Sequence, residues 1–209
     1  MFFTGTVYSA PSLMVFDLTD KQTVFAYNAE TVRPVASITK LVTAMVALDN
    51  YDKSSHTTIT NMLVTSSNHA AESLAQQYPG GRVQFINAMN AKARSMGLTD
   101  TRFHDASGLS VFNSSTALEL VVILHHAAKY DLITKATTTK DLVLRPSKKH
   151  IVHAHNTNKR LLERYNNIIV GKTGYTSRAG RCLAVLVKNG DSVFAVVALG
   201  YSNPQERES

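Results

Sequence analysis

The chain has 209 residues, 44% of them hydrophobic and 18% charged, with a net charge of +7, a profile of a globular protein with room for one domain or one domain carrying a helical lobe. No apolar run reaches the ~20 residues of a membrane span, and Met1 to Ala10 has neither the basic onset nor the length of a secretory signal. The positive charge suits an anionic cell wall or membrane surface; nucleic acid is not expected, because the basic residues are dispersed and no binding motif accompanies them.

The first predicted elements are two short apolar runs, Leu13 to Leu18 and Gln22 to Tyr27, around Thr19-Asp20-Lys21, which read as a β-hairpin. Pro34 then precedes a helix from Ser37 to Leu48, with Ile38, Leu41, Val42, Met45 and Val46 at helical spacing. Further helices are read over Asn68 to Tyr78, Arg82 to Met96 and Thr116 to Tyr130. The second ends at Gly97, a left-handed cap, and the third opens with Thr116 and Glu119 at capping-box spacing. Residues 131 to 165 carry short β-prone pieces without a clear pattern.

The end of the chain is a strand from Asn167 to Tyr175, then a hairpin of Arg181 to Lys188 and Ser192 to Leu199, with Asn189-Gly190 as a type I′ turn. Strands at both ends with helices between them predict an α/β (α+β) fold: one antiparallel sheet assembled from about 11–30 and 167–200, with an inserted helical lobe over about 50–165. Residues 1–209 are read as a single domain. The lone Cys182 lies among apolar residues, which excludes an internal disulfide and predicts a buried strand thiol.

Three motifs carry chemistry. Ser37-Ile38-Thr39-Lys40 places a hydroxyl and an amine one helical turn apart, on one face. Serine needs an adjacent base to become a nucleophile. A lysine can serve only if its pKa falls, through desolvation or a neighbouring cation such as Lys172. The helix start also offers N–H groups to a developing oxyanion. Ser66-Ser67-Asn68 opens the next helix: Ser66 can relay a proton and Asn68 can contact a substrate amide, and the competing reading is that both are helix caps. Lys172-Thr173-Gly174 lies on the strand; Lys172 and Thr173 can bind a carboxylate, and Gly174 lets a ligand backbone approach. Ser-x-x-Lys and Ser-x-Asn each occur by chance about once in such a chain, and Lys-Thr-Gly roughly once in twenty chains. All three in this order is the pattern of serine β-lactamases and penicillin-binding proteins.

Other candidates carry less. His150, His153 and His155 lack acidic or thiol companions, and their spacing fits alternation along an extended segment, so no metal is expected. His125 and His126 point different ways on a helix. Tyr78-Pro79-Gly80-Gly81 is a turn between helices with no phosphate-loop pattern, and no cofactor is expected.

With their surroundings the motifs resemble the D-alanyl-D-alanine carboxypeptidase and endopeptidase family, the low-molecular-mass penicillin-binding proteins. The resemblance runs through Arg33-Pro34-Val35-Ala36 ahead of Ser37, Asn68-His69-Ala70-Ala71-Glu72, Thr101-Arg102-Phe103, Ser107-Gly108-Leu109, Asn156-Thr157-Asn158 and Gly171 to Thr176. The Tyr78 to Gly81 turn is similar to the endopeptidase branch, which cuts crosslinks between peptidoglycan stem peptides. The resemblance implies a β-lactamase-like serine peptidase fold in a periplasmic or extracytoplasmic setting, with β-lactams as covalent inhibitors. It implies that Ser37 attacks the carbonyl of a penultimate D-Ala, that Lys40 takes its proton and that Ser66, with Lys172 nearby, passes a proton to the leaving amine. Asn68 would hold the acyl-side amide, Lys172 and Thr173 the leaving-side carboxylate, and the N–H groups of Ser37 and Tyr175 the oxyanion. Against the family pattern, Asn50 to Val64 is abbreviated, and the chain stops at Ser209 where the family adds a helix on the sheet, so an under-covered sheet face is expected. Two rival functions are a class A β-lactamase, which requires a water-activating glutamate in a Glu-x-x-Leu-Asn pattern that is absent here, and a non-catalytic cell-wall or β-lactam binding module.

Overall fold

The computed structural model describes residues 10–147 and 150–202. In chain order the strands are β1 (Ser12–Asp17), β2 (Gln22–Tyr27), β3 (Arg33–Pro34), β4 (Ser114–Ser115), β5 (Asp141–Ser147), β6 (His150–His155), β7 (Ile168–Thr176), β8 (Gly180–Asn189) and β9 (Ser192–Tyr201). The helices are α1 (Thr39–Asn50), α2 (His56–Thr65), α3 (Asn68–Gln77), α4 (Gly81–Ser95), α5 (Ala117–Ala127), α6 (Asp131–Thr138) and α7 (Lys159–Arg164).

The main sheet has the order β2-β1-β9-β8-β7, and every pair in it is antiparallel. Strands from the two chain ends meet where Met14 lies opposite Val197. β8 presents apolar residues to both faces of this sheet. Cys182, Ala184 and Leu186 point into the large core shared with the helices, whereas Leu183 and Val185 face a smaller cluster with Ala198. Strict alternation of apolar residues on both faces is the pattern of a central strand. On the side of the smaller cluster, partly covered by Leu161 of α7, a groove of about 590 Å³ is lined by Leu13, Val15, Tyr165, Phe194 and Val196 among others.

α1 is buried on nearly all sides from Thr39 to Ala47. A helix apolar all round must sit inside the molecule, and α1 is the post around which α2, α4, α5 and α6 pack. Ser37 lies before it, in a 3₁₀ turn over Ala36–Ile38. The helical reading from Ser37 is therefore corrected by two residues: the nucleophile candidate sits in the tighter turn, and the regular helix begins at Thr39.

The stretch read as abbreviated forms a 3₁₀ turn at Lys53–Ser55, started by Asp52 accepting from Ser54 N, and then α2. Residues 131 to 165 fold as α6, the β5–β6 hairpin and α7. Thr116 caps α5 by accepting from Glu119 N at 3.0 Å. The Glu119 carboxylate instead accepts from the N–H groups of Thr99 and Asp100 and from the Thr101 hydroxyl, tying a separate loop to the helix start. The β8–β9 turn also differs from expectation. Asn189 pairs with Ser192, so the turn residues are Gly190 and Asp191, with positive φ at Gly190 alone. That is the type II′ pattern.

Phe85 of α4 is fully buried and meets the Tyr78 ring edge-on at 5.4 Å. Phe85→Ala is expected to lower the unfolding free energy by about 3–5 kcal/mol through the cavity it leaves. Urea unfolding followed by circular dichroism checks this, and a loss below about 1 kcal/mol would contradict the packing described.

Candidate active site

Ser37, Lys40, Ser66, Asn68, Lys172 and Thr173 come from three separate stretches of chain and form two hydrogen-bond groups. In the first, Lys40 Nζ donates to Ser37 Oγ at 2.9 Å, to Asn68 Oδ1 at 2.7 Å and to the carbonyl of Ser107 at 2.5 Å. In the second, Lys172 Nζ donates to Ser66 Oγ at 3.0 Å, to its neighbour's carbonyl, Thr173 O, at 3.0 Å, and more distantly to Thr157 Oγ1 at 3.4 Å. Thr173 Oγ1 donates to Thr157 Oγ1 at 2.8 Å.

Local backbone geometry delivers each group. Ala36 takes a positive φ of 47°, unusual for a residue with a side chain. Two glycines press on this turn. A Cβ on Gly174 would lie 2.9 Å from Ser37 N, and one on Gly108 would lie 2.0 Å from Ala36 O. The absent side chain of Gly174 thus admits the serine turn itself, a different reason from the ligand approach expected from sequence. Tyr175, the next residue, is 60% exposed.

Ser66 ends α2 in the left-handed conformation, with φ 59°. The cap of α3 is Ser67, whose hydroxyl accepts from Ala70 N at 3.1 Å. With Ser67 doing the capping, the Ser66 hydroxyl and the Asn68 amide face the two lysines. The capping reading of these two residues is thereby corrected.

Both lysines are almost wholly buried, Lys40 at 0% exposure and Lys172 at 1%. Burial disfavours the ammonium. It brings Lys40 down to about 8, against the opposing pull of the Asp105 and Glu72 carboxylates. It brings Lys172 down to about 7, and the charge of Lys40 lowers it further. Of the two causes the sequence suggested, desolvation and a neighbouring cation, desolvation is the main one for Lys40. A lysine free of its proton near neutrality can accept one from a serine 2.9 Å away.

Two contributors had no role assigned from sequence. The Ser107 carbonyl reaches Lys40, and the Thr157 hydroxyl sits over Lys172 and Thr173. A main-chain carbonyl leaves no residue-type signature. Thr157 is placed by the bond from its N–H to Val64 O at 3.1 Å, a contact between distant segments. The histidines lie elsewhere: His155 Nδ1 bonds the carboxylate of Asp141 across the β5–β6 hairpin, an acidic companion that sequence reading missed. Among the described residues no group of three or more His, Cys, Asp or Glu is arranged to hold a metal.

Residues 55–203 match the profile of the D-alanyl-D-alanine carboxypeptidase family. The chain is 35% identical over 217 aligned positions to a D-alanyl-D-alanine endopeptidase of Escherichia coli (strain K12), covering 90% of this chain and 70% of that protein. It is 34% identical over 203 positions to a D-alanyl-D-alanine endopeptidase of Pseudomonas aeruginosa, covering 83% of this chain and 66% of that one. Among solved structures, a D-alanyl-D-alanine carboxypeptidase from Mycobacterium tuberculosis H37Rv superposes with a TM-score of 0.85 at 26% identity, covering 94% of this chain and 84% of the other.

The buried lysines predict a pH dependence of stability. They lose their protons near pH 7–8 when folded, against the ordinary 10.5. Between those values the unfolded chain binds more protons, so stability rises with pH from about 7 to about 10.5, and that gain is absent below. Lys172→Met should flatten the rise and stabilise the fold at about pH 6 by on the order of a few kcal/mol. Urea unfolding across this pH range provides the check; an unaltered pH slope in the variant would refute it.

Proposed function

The chain belongs to the D-alanyl-D-alanine carboxypeptidase family and is a serine-type peptidase acting on peptidoglycan peptides; from that premise we propose that Ser37 is its nucleophile and Lys40 the base that activates it. The observation that carries this is the 2.9 Å bond between Lys40 Nζ and Ser37 Oγ, on a lysine that burial brings down to about 8.

In the proposed sequence, neutral Lys40 takes the Ser37 proton as Oγ attacks the carbonyl carbon of the penultimate D-Ala. The oxyanion is met by the N–H groups of Ser37 and Tyr175, brought close by the contact between Gly174 and the serine turn. Collapse of the tetrahedral intermediate breaks the C–N bond; Ser66 gives its hydroxyl proton to the departing amine and regains one from the ammonium of Lys172, 3.0 Å away, while Lys40 holds the Ser37 proton. Lys172 and Thr173 hold the leaving-side carboxylate through an amine and a hydroxyl, and the arriving carboxylate favours the charged form of Lys172. The Asn68 oxygen is engaged by Lys40, which leaves its NH₂ for the acyl-side amide of the substrate. Water then attacks the Ser37 ester, giving one proton to the Ser66–Lys172 pair as Lys40 returns its own to the departing Ser37 Oγ. A β-lactam carries the same amide and carboxylate and acylates Ser37 in the same way.

We further propose that the chain acts as one catalytic domain, on crosslinks between stem peptides, in an extracytoplasmic compartment. The endopeptidase names of the two relatives above support the bond type, and the charge of +7 suits an anionic wall or membrane surface. A β-lactamase of class A finds no support in the site. Of the two carboxylates that act on Lys40, Asp105 is engaged by backbone N–H groups and Glu72 pairs with Arg82 at 2.9 Å. Neither is free to activate a water.

Intact-mass spectrometry after exposure to benzylpenicillin tests the proposal. One adduct of the whole drug mapping to Ser37 is expected, absent in Ser37→Ala. Its rate of formation should rise with pH through about 8, as Lys40 loses its proton. Lys40→Arg, whose guanidinium stays charged, should acylate at least about a hundredfold more slowly. Rapid drug turnover without an adduct would favour a β-lactamase. Neither adduct nor turnover would favour a binding module. Release of free peptides from crosslinked muropeptides tests the bond type.

A further inference from the structure

The turn from Asp105 to Ser110 is built around one buried carboxylate. Asp105 Oδ1 accepts from Ser107 N at 2.8 Å, Ser107 Oγ at 3.1 Å, Gly108 N at 2.5 Å and Asn113 Nδ2 at 3.2 Å, and Oδ2 accepts from Ser110 N at 2.5 Å. Asn113 then fastens the turn to the catalytic helix, donating to Thr39 Oγ1 at 3.1 Å, one residue before Lys40. Gly108 fits against the Ala36 carbonyl with no space for a side chain. The turn is therefore fixed at both ends, and what it presents to the site is the Ser107 carbonyl, 2.5 Å from Lys40 Nζ.

That contact bears on the direction of the base. As an ammonium, Lys40 donates three N–H groups, to Ser37 Oγ, Asn68 Oδ1 and Ser107 O. Once neutral it has two N–H groups and one lone pair. The Asn68 and Ser107 oxygens are carbonyls and can only accept, whereas the Ser37 hydroxyl can donate. The one arrangement that satisfies all three partners sends both N–H groups to the carbonyls and turns the lone pair to Ser37.

We infer that Asp105 is a positioning residue for the general base: it holds the Ser107 carbonyl where that oxygen takes one N–H of Lys40 and so aims the amine lone pair at Ser37. This rests on the reading of Lys40 as base. The charged groups acting around Lys40 are Asp105 from this turn, Glu72 from α3, and Lys172 from β7. Asp105 therefore also favours the charged form of the amine that it orients.

The test is the rate of Ser37 acylation by benzylpenicillin in the full chain, across pH from about 5 to about 10, for the unaltered protein and Asp105→Asn. The isosteric amide removes the charge and sets an NH₂ against the Ser110 N–H. The high-pH plateau should fall about tenfold or more, since misdirecting a catalytic group by a fraction of an ångström has that scale of effect. The midpoint of the acid limb should move to lower pH, because the carboxylate that favours the Lys40 ammonium is gone. A lower plateau with an unmoved midpoint marks a merely structural role and overturns the inference, as does a variant identical to the unaltered protein. Should Asp105→Asn fail to fold, Ser107→Ala keeps the carbonyl and removes one tie to Asp105; a fall of about two- to fivefold is expected, and an unchanged rate overturns the inference. Absence of any Ser37 adduct on the unaltered protein would overturn the reading of Lys40 as base, and this inference with it.

Discussion

The structure depends on two lysine side chains held out of water with no carboxylate in contact, among the described residues, to neutralise them. A buried ammonium costs several kcal/mol of lost hydration. The fold offsets part of this with neutral oxygens: Ser37, Asn68 and the Ser107 carbonyl around Lys40, and Ser66, Thr157 and the Thr173 carbonyl around Lys172. It does not offset the whole, which is why both amines release their protons near neutrality. A contacting aspartate would have stabilised the fold and removed the chemistry, because it would have kept the amine charged. Stability given up at these two positions leaves amines able to accept a proton near neutral pH.

Supplying so many oxygens to so small a volume requires unusual backbone. Ala36 and Ser66 both occupy the left-handed region, a conformation that costs a residue with a side chain on the order of 1 kcal/mol. Each lies at or beside a serine of the proposed site. The strain persists because neighbours leave no alternative: Gly108 and Gly174 close on the Ala36–Ser37 peptide, and α2 and α3 meet at Ser66 with Ser67 capping the second helix. The buried α1 forms the floor of this arrangement, and β7 forms its wall.

This division of labour explains the place of the Asp105 turn. Its carboxylate acts at a distance on the charge of Lys40 and through the Ser107 carbonyl on its orientation. A group that touches no substrate can thereby influence when the base is free and which way it points.

Much was legible in the sequence. The three motifs follow from residue types alone, because attack, proton transfer and carboxylate binding each demand particular side chains. The hairpins at the two chain ends, the helix after Pro34 and the sheet drawn from both chain ends follow from periodicity and turn residues, which are local properties. What sequence could not decide were matters of tertiary placement. Desolvation of Lys40 depends on how α1 is enclosed. Which serine caps α3 depends on how α2 and α3 meet, since either Ser66 or Ser67 could have capped. The purpose of Gly174 depends on which segment packs against it, and the His155–Asp141 pair on hairpin register. The Ser107 oxygen belongs to a main chain that every residue possesses, so only the folded turn could identify it. Residue identity determined which chemistry was available to this protein; the burial and direction that make it usable came from segments far apart in sequence, and were decided by the fold.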